Sequence, residues 1–185
     1  CSRLFFTNNI FDCFVDAMSN RIELLRIGDA RSPNTDIGPV VSEAQLKKNL
    51  EYLQIGLKDG AKQLTGGEQV EQATPGWYLS PALFIDAKSE MKICREEIFG
   101  PIAAVMPVND YDEALNLAND SEFGLSAGIV TNDRLIIDHF IDNIQSGMVQ
   151  INLPTAGMDF HAPITGRKNS SFGPPEKSSY CREFF

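Results

Sequence analysis

The sequence predicts an α/β fold, a largely parallel sheet flanked by helices. Three observations lead there. Strand-like and helix-like patterns alternate along the chain, the arrangement that builds parallel sheets through helical crossovers. The 185 residues suit one domain of ordinary size with a real core. Hydrophobic residues at 43% and charged residues at 22% match a soluble globular average.

Each element has its own signal. Leu4-Phe5-Phe6 is a short apolar strand. Ile10, Phe14, Met18, Ile22 and Leu25 recur near a helical period, capped by Asn8 or Asn9 and ending near Arg26, before Gly28. Residues 28–41 are dense in Gly, Asp, Pro and Asn and read as a loop. Ser42-Glu43-Ala44-Gln45 forms a capping box, in which Gln45 reaches back toward Ser42. The helix that follows carries Leu46, Leu50, Leu53 and Leu57 on one face and stops at Asp59-Gly60. Gln63-Leu64-Thr65 reads as a strand, Gly66-Gly67 as a turn, and Glu68 to Gly76 as a surface turn or hairpin.

Tyr78 to Ile85 and residues 102–108 are strand regions. A short helix over Tyr111–Asn119, capped by Asp110, turns Ala114, Leu115 and Leu117 inward. Leu125 to Thr131 reads as a buried strand, Arg134 to Ile144 as a helix ended by Ser146-Gly147, and Met148 to Asn152 as a final central strand. From Leu153 to the end, residues 153–185, the chain is rich in Gly, Pro and Ser and is expected to be an irregular tail.

Composition narrows the function. A net charge of −9, from 16 Lys+Arg against 25 Asp+Glu, disfavours nucleic acid as a partner. The apolar runs are far short of the ~20 residues a membrane span requires, and no secretory signal opens the chain. Cytoplasmic localisation is therefore expected. Cys1, Cys13, Cys94 and Cys181 form no CxxC pair, and His139 and His161 complete no metal-ligand spacing, so no metal is expected.

No GxGxxG follows a strand and no GxxxxGK[ST] occurs, so nothing here builds a dinucleotide-binding domain. Glu96 and Glu97 are adjacent carboxylates, and sequence neighbours do not face each other in a helix or strand. On the residues alone they read as one solvated carboxylate and one with a local partner. Asn152 alone reads as a residue that satisfies backbone groups at a strand end.

Arg95-Glu96-Glu97-Ile98-Phe99-Gly100-Pro101 resembles the cofactor-facing segment of the NAD(P)-dependent aldehyde dehydrogenases. Asp36-Ile37-Gly38-Pro39-Val40 resembles the family's D-x-G-P-[LV] loop. The run from Ala118 to Leu125 resembles its A-N-x-x-x-[YF]-G-L turn, and Gly147 to Asn152 the strand bearing an asparagine that organises the catalytic loop. Residues 163–171 are similar to its P-F-G-G-x-K-x-S-G segment, with Ile164 in place of Phe and Thr165 in place of Gly. The tail from Gly166 to Glu176, with Tyr180 and Glu183-Phe184, is most similar to the α-ketoglutaric semialdehyde (2,5-dioxovalerate) dehydrogenases. Pro175 and Ser178 depart from that branch.

The resemblance implies a fold of the aldehyde dehydrogenase catalytic-domain type across residues 1–185. It also implies NAD or NADP as cofactor and oxidation of a small aldehyde, such as a dicarboxylic semialdehyde, to its acid. Glu97 would accept hydrogen bonds from the nicotinamide ribose hydroxyls, Phe99 would pack beside the nicotinamide, and Asn152, Phe160 and Ile164 would belong to the substrate pocket. Arg167 or Lys168 could attract a substrate carboxylate or simply face solvent.

The family's nucleophile lies in a G-Q-x-C-T-x-x-S-R loop, whose last two residues match Ser2-Arg3. Cys1 would then stand three positions past that cysteine. No catalytic residue is expected among these residues, because the general base and oxyanion-hole asparagine also lie upstream in the family. The isolated chain is expected to be inactive. Cys13, Cys94 and Cys181 are expected to be packing residues. Family members are homo-oligomers, built through a strand beyond the Glu183-Phe184 region. A rival expectation is a non-catalytic module of the same ancestry.

Overall fold

The computed structural model describes residues 2–157, 159, 161–175, 177, 179 and 182. The chain divides into two compact units, residues 2–109 and residues 110–185.

The first unit opens with β1 (Arg3–Thr7), which runs straight into α1 (Asn8–Glu23). Thr7 is the N-cap residue and its side chain caps nothing, so neither Asn8 nor Asn9 has the expected capping role. Asn8 instead lies inside the helix and donates to Asn109 Oδ1 at 3.1 Å. The helix also ends earlier than Arg26, with Leu24 as its C-cap residue. After the loop comes α2 (Glu43–Lys58), whose N-cap Ser42 accepts from the Gln45 backbone. The reciprocal half of the capping box is absent, because the Gln45 side chain is bonded elsewhere.

Strand β2 (Lys62–Thr65) precedes Gly66 and Gly67, both at positive φ. A Cβ at Gly66 would lie 1.6 Å from the Pro81 carbonyl oxygen, which only glycine tolerates. The hairpin expected nearby is β3 (Gln69–Val70) paired antiparallel with β4 (Tyr78–Leu79). Pro81, which has no amide hydrogen for a ladder, separates β4 from β5 (Ala82–Ile85). A one-turn helix, α3 (Lys92–Arg95), carries no sequence signal and leads toward β6 (Ile102–Val108).

The main sheet has the order β1-β6-β5-β2, with β1/β6 and β5/β6 parallel and β2/β5 antiparallel. Both of its faces are covered. Leu83 and Val105 pack with Val15, Phe11 and Met18 of α1. Their neighbours Phe84, Ala104 and Met106 point the other way, into the cluster containing Leu46, Tyr52 and Leu53 of α2. Double burial explains why these strands are continuous apolar runs without polar alternation.

The second unit holds α4 (Tyr111–Asn119), β7 (Phe123–Gly124), β8 (Ser126–Ile129), α5 (Arg134–Asn143), β9 (Met148–Ile151) and β10 (Arg167–Lys168). Asp110 and Asp133 cap the two helices through their side chains. Strands β8 and β9 pair in parallel as a two-stranded sheet, and β7 pairs antiparallel with β10. Two sequence expectations change here. Strand β8 is not buried, because Ser126 and Gly128 are exposed and Ala127 and Ile129 only half-buried. Strand β9 is not central among the described residues, since β8 is its sole partner. The core of this unit is Leu115, Phe140 and Ile144. Among the described residues, no helix is long and apolar enough to cross a membrane.

Candidate functional site

Helix α2 presents more than its leucines. Gln45, Lys48, Asn49 and Tyr52 stand three or four residues apart and so share a face. That face meets the loop between α3 and β6, residues 96–100. Tyr52 is buried and its hydroxyl donates to Glu96 Oε2. Donating to that carboxylate, and secondarily burial, pushes the Tyr52 phenol up to about 12. Lys48 Nζ donates to the Glu97 carbonyl at 2.9 Å, and Gln45 Nε2 donates to the Ile98 carbonyl at 2.8 Å. Gln45 also donates to Asn49 Oδ1 at 2.8 Å. Asn49 is fully buried, and a Cβ at Gly100 would lie 2.4 Å from its Nδ2, so Gly100 permits the close approach.

The loop is thus fastened at consecutive positions, and two side chains are left outward. Glu97 is exposed, and among the described residues only its backbone carbonyl is engaged. Phe99 is 73% exposed and has a left-handed backbone, φ 57°. That conformation at an aromatic residue costs about 1–3 kcal/mol and persists because its surroundings fix it. The two adjacent acids are both exposed, and they differ in that Tyr52 bonds the Glu96 carboxylate.

In the second unit, Asn152 follows β9 with φ 55°. Its Oδ1 accepts from the Thr131 amide at 2.9 Å, and its Nδ2 donates to the Thr131 carbonyl at 3.0 Å. The side chain thereby continues the β8/β9 ladder past its end. Ile164 is half-buried and lines a concavity of about 300 Å³ with Thr165, Ser170, Ser171, Phe172 and Pro174. The Ser170 and Ser171 hydroxyls accept from the Gly124 and Gly166 amides. Thr165 has no positive φ, so its Cβ introduces no strain. Phe160 lies outside the described residues, as do Cys1 and Cys181.

Arg167 and Lys168 do more than face solvent. Arg167 donates to the Ile144 carbonyl at 3.2 Å, and Lys168 Nζ to the Asn119 and Ser121 carbonyls at 2.6 and 2.9 Å. Cys94 is buried, and desolvation pushes its thiol up to about 11, which suits the packing role expected of it. Cys13 is exposed rather than packed. Among the described residues, no His, Cys, Asp and Glu group is arranged to hold a metal ion.

Sequence reasoning missed the α2 row of Gln45, Lys48, Asn49 and Tyr52. Its helical spacing was visible, but the leucine stripe beside it has the same period and accounts for the helix alone.

An outward carboxylate and an outward aromatic ring thus stand two positions apart on a loop whose peptides are held from behind. Two hydroxyl donors can meet one ionised carboxylate there.

The sequence matches the aldehyde dehydrogenase family over residues 1–185. It is 40% identical over 175 residues to an alpha-ketoglutarate semialdehyde dehydrogenase of Haloferax volcanii, covering 92% of this chain and 36% of that protein. It is 39% identical over 186 residues to the alpha-ketoglutaric semialdehyde dehydrogenase of Bacillus subtilis, covering 100% of this chain and 38% of that protein. The fold matches an aldehyde dehydrogenase of Bacillus cereus, solved as an NAD+ complex, with a TM-score of 0.90 and 32% identity. That match covers 97% of this chain and 36% of the other. The chain therefore spans less than two-fifths of the length of these relatives. Motifs, fold and the match over residues 1–185 agree, and the chain belongs to the aldehyde dehydrogenase family.

Proposed function

We propose that these residues form the nicotinamide-ribose side, and part of the substrate wall, of an NAD(P)-dependent aldehyde dehydrogenase. The substrate we infer is a dicarboxylic semialdehyde such as α-ketoglutaric semialdehyde, oxidised to its acid. The observation that carries this reading is the fastened loop 96–100, with the Glu97 carboxylate and Phe99 ring left outward. The substrate class is supported by the names of the Haloferax and Bacillus subtilis relatives. The cofactor is supported by the NAD+ complex of the Bacillus cereus relative.

Within that enzyme, Glu97 accepts the two ribose hydroxyls and so fixes the rotation of the sugar. Phe99 limits the nicotinamide on one side with apolar surface. The bound nicotinamide supplies the hydride acceptor. Ile164 contributes apolar wall to the aldehyde's path, while Asn152 shapes the turn after β9 by holding Thr131. The cytoplasm is the compartment we infer, supported by the free thiols of Cys13 and Cys94.

We propose further that the 185 residues alone do not turn over an aldehyde. Cys94 is buried and desolvation pushes its thiol up to about 11, which disfavours the thiolate that a nucleophile needs. The test is NAD+ titration calorimetry on the complete gene product, paired with NADH formation from semialdehyde and with Glu97→Gln. The expected result is saturable binding and turnover, both weakened by the substitution, with affinity falling roughly tenfold. Binding unaffected by Glu97→Gln would overturn the ribose assignment. Absence of any binding would favour a non-catalytic module.

A further inference from the structure

The loop bearing Glu97 sets two like acids side by side. Glu96 is extended, at φ −109° and ψ 153°. Its side chain turns toward α2, where Tyr52 bonds it. Glu97 is exposed, Ile98 is 4% exposed, and Phe99 is 73% exposed. Both acids are thus exposed, Glu96 with 47% of its side chain accessible, and what separates them is the bond from Tyr52 to the Glu96 carboxylate. Glu96 and Glu97 are chemically near-identical, so the loop needs something that tells them apart.

We propose that Tyr52 is a positioning residue for nucleotide binding: its hydroxyl keeps the Glu96 carboxylate on α2 and so leaves Glu97 as the acid presented to the ribose. The inference rests on Glu97 being the ribose acceptor.

The surroundings of Tyr52 support the assignment. Its hydroxyl meets Glu96 Oε2, and Lys92 Nζ lies 3.8 Å from the same oxygen. The ammonium groups of Lys48 and Lys92 lie 5.5 and 5.7 Å from the centre of its ring. One buried phenol therefore bonds the Glu96 carboxylate and lies beside Lys48, which holds the Glu97 carbonyl. A hydrogen bond to an ionised carboxylate is among the stronger polar contacts available, and an unpaired Glu96 would compete with Glu97 for the same hydroxyl donors.

Tyr52→Phe deletes the hydroxyl and keeps the ring for the core and the two lysines. The test measures NAD+ affinity, KM for NAD+ and kcat in the complete gene product for Tyr52→Phe, Glu96→Ala, Glu97→Gln and Tyr52→Phe combined with Glu97→Gln. The expected result is a roughly five- to tenfold rise in Kd and KM for NAD+ in Tyr52→Phe and Glu96→Ala, with kcat at saturating NAD+ changed less than about twofold. The double variant should bind no more weakly than Glu97→Gln alone, since Tyr52 acts through Glu97.

Full additivity would overturn the proposal, as would unchanged affinity in Tyr52→Phe when Glu97→Gln weakens binding. In both cases the ribose assignment would stand. An unchanged Kd in Glu97→Gln would overturn that assignment and this proposal with it. Should Tyr52→Phe fail to fold, Glu96→Ala decides: no loss of NAD+ affinity there overturns the proposal.

Discussion

Tyr52 bonds Glu96 only while its phenol is protonated, which makes the contact sensitive to alkali. An ordinary tyrosine ionises near 10, and this one is pushed up to about 12. The folded state therefore keeps the proton that the unfolded chain gives up first. The stabilisation is complete below pH about 10 and is lost as pH rises from there through about 12. Urea unfolding across that range should show a falling midpoint, and Tyr52→Phe should flatten the slope. A wild-type midpoint that does not move between those values would contradict the pairing. At this scale the sequence was partly legible. It pointed to Glu97 and Phe99 through a motif, and it allowed Glu96 a local partner. It could not identify that partner as Tyr52, forty-four positions away, because local periodicity carries no information about which helix meets which loop.

Among the elements, β10 is only two residues long yet joins three others. Its two residues, Arg167 and Lys168, pair with β7, and their side chains reach carbonyls at the C-terminal ends of α5 and α4. Those carbonyls lack intrahelical partners and sit at the negative end of each helix dipole, where a cation is favourable. Asn119 adds a bond from Nδ2 to the Asn143 carbonyl at 3.0 Å and accepts from the Gln145 amide at 2.7 Å. Lys168→Met should lower unfolding stability by about 0.5–2 kcal/mol, read by urea denaturation followed by circular dichroism. A variant as stable as the parent would mean that solvent satisfies the α4 terminus equally well. Strong patterns made most elements readable, including β6 and α4, whose bounds match residues 102–108 and 111–119. Strand β10 and helix α3 were not readable, since two to four residues hold no full period.

Across the whole molecule, burial is uneven. Residues 2–109 contain two clusters, one on each face of the main sheet, with Phe84, Leu83 and Val105 wholly buried. Among the described residues of 110–185 there is one small cluster around Leu115, Phe140 and Ile144, and there Val130, Leu135 and Leu153 are 87%, 80% and 63% exposed. Backbone protection follows buried contact, so hydrogen exchange should be slowest in β5 and β6 and markedly faster throughout β8 and β9. Equal protection in the two sheets would show that something other than the described core stabilises the second. The α/β class was readable because alternation of patterns is a whole-chain property. The division of the core was not, because residues 125–131 are as apolar as a buried strand while exposure depends on what packs against them.

The fastening of loop 96–100 has a consequence for redesign. Lys48 and Gln45 grip carbonyl oxygens, which every amino acid possesses. The shape of the loop is thereby decoupled from the chemistry displayed at position 97, so it behaves as a mount with an interchangeable head there. New side chains placed there would alter what the protein recognises while leaving the scaffold beneath them as it is.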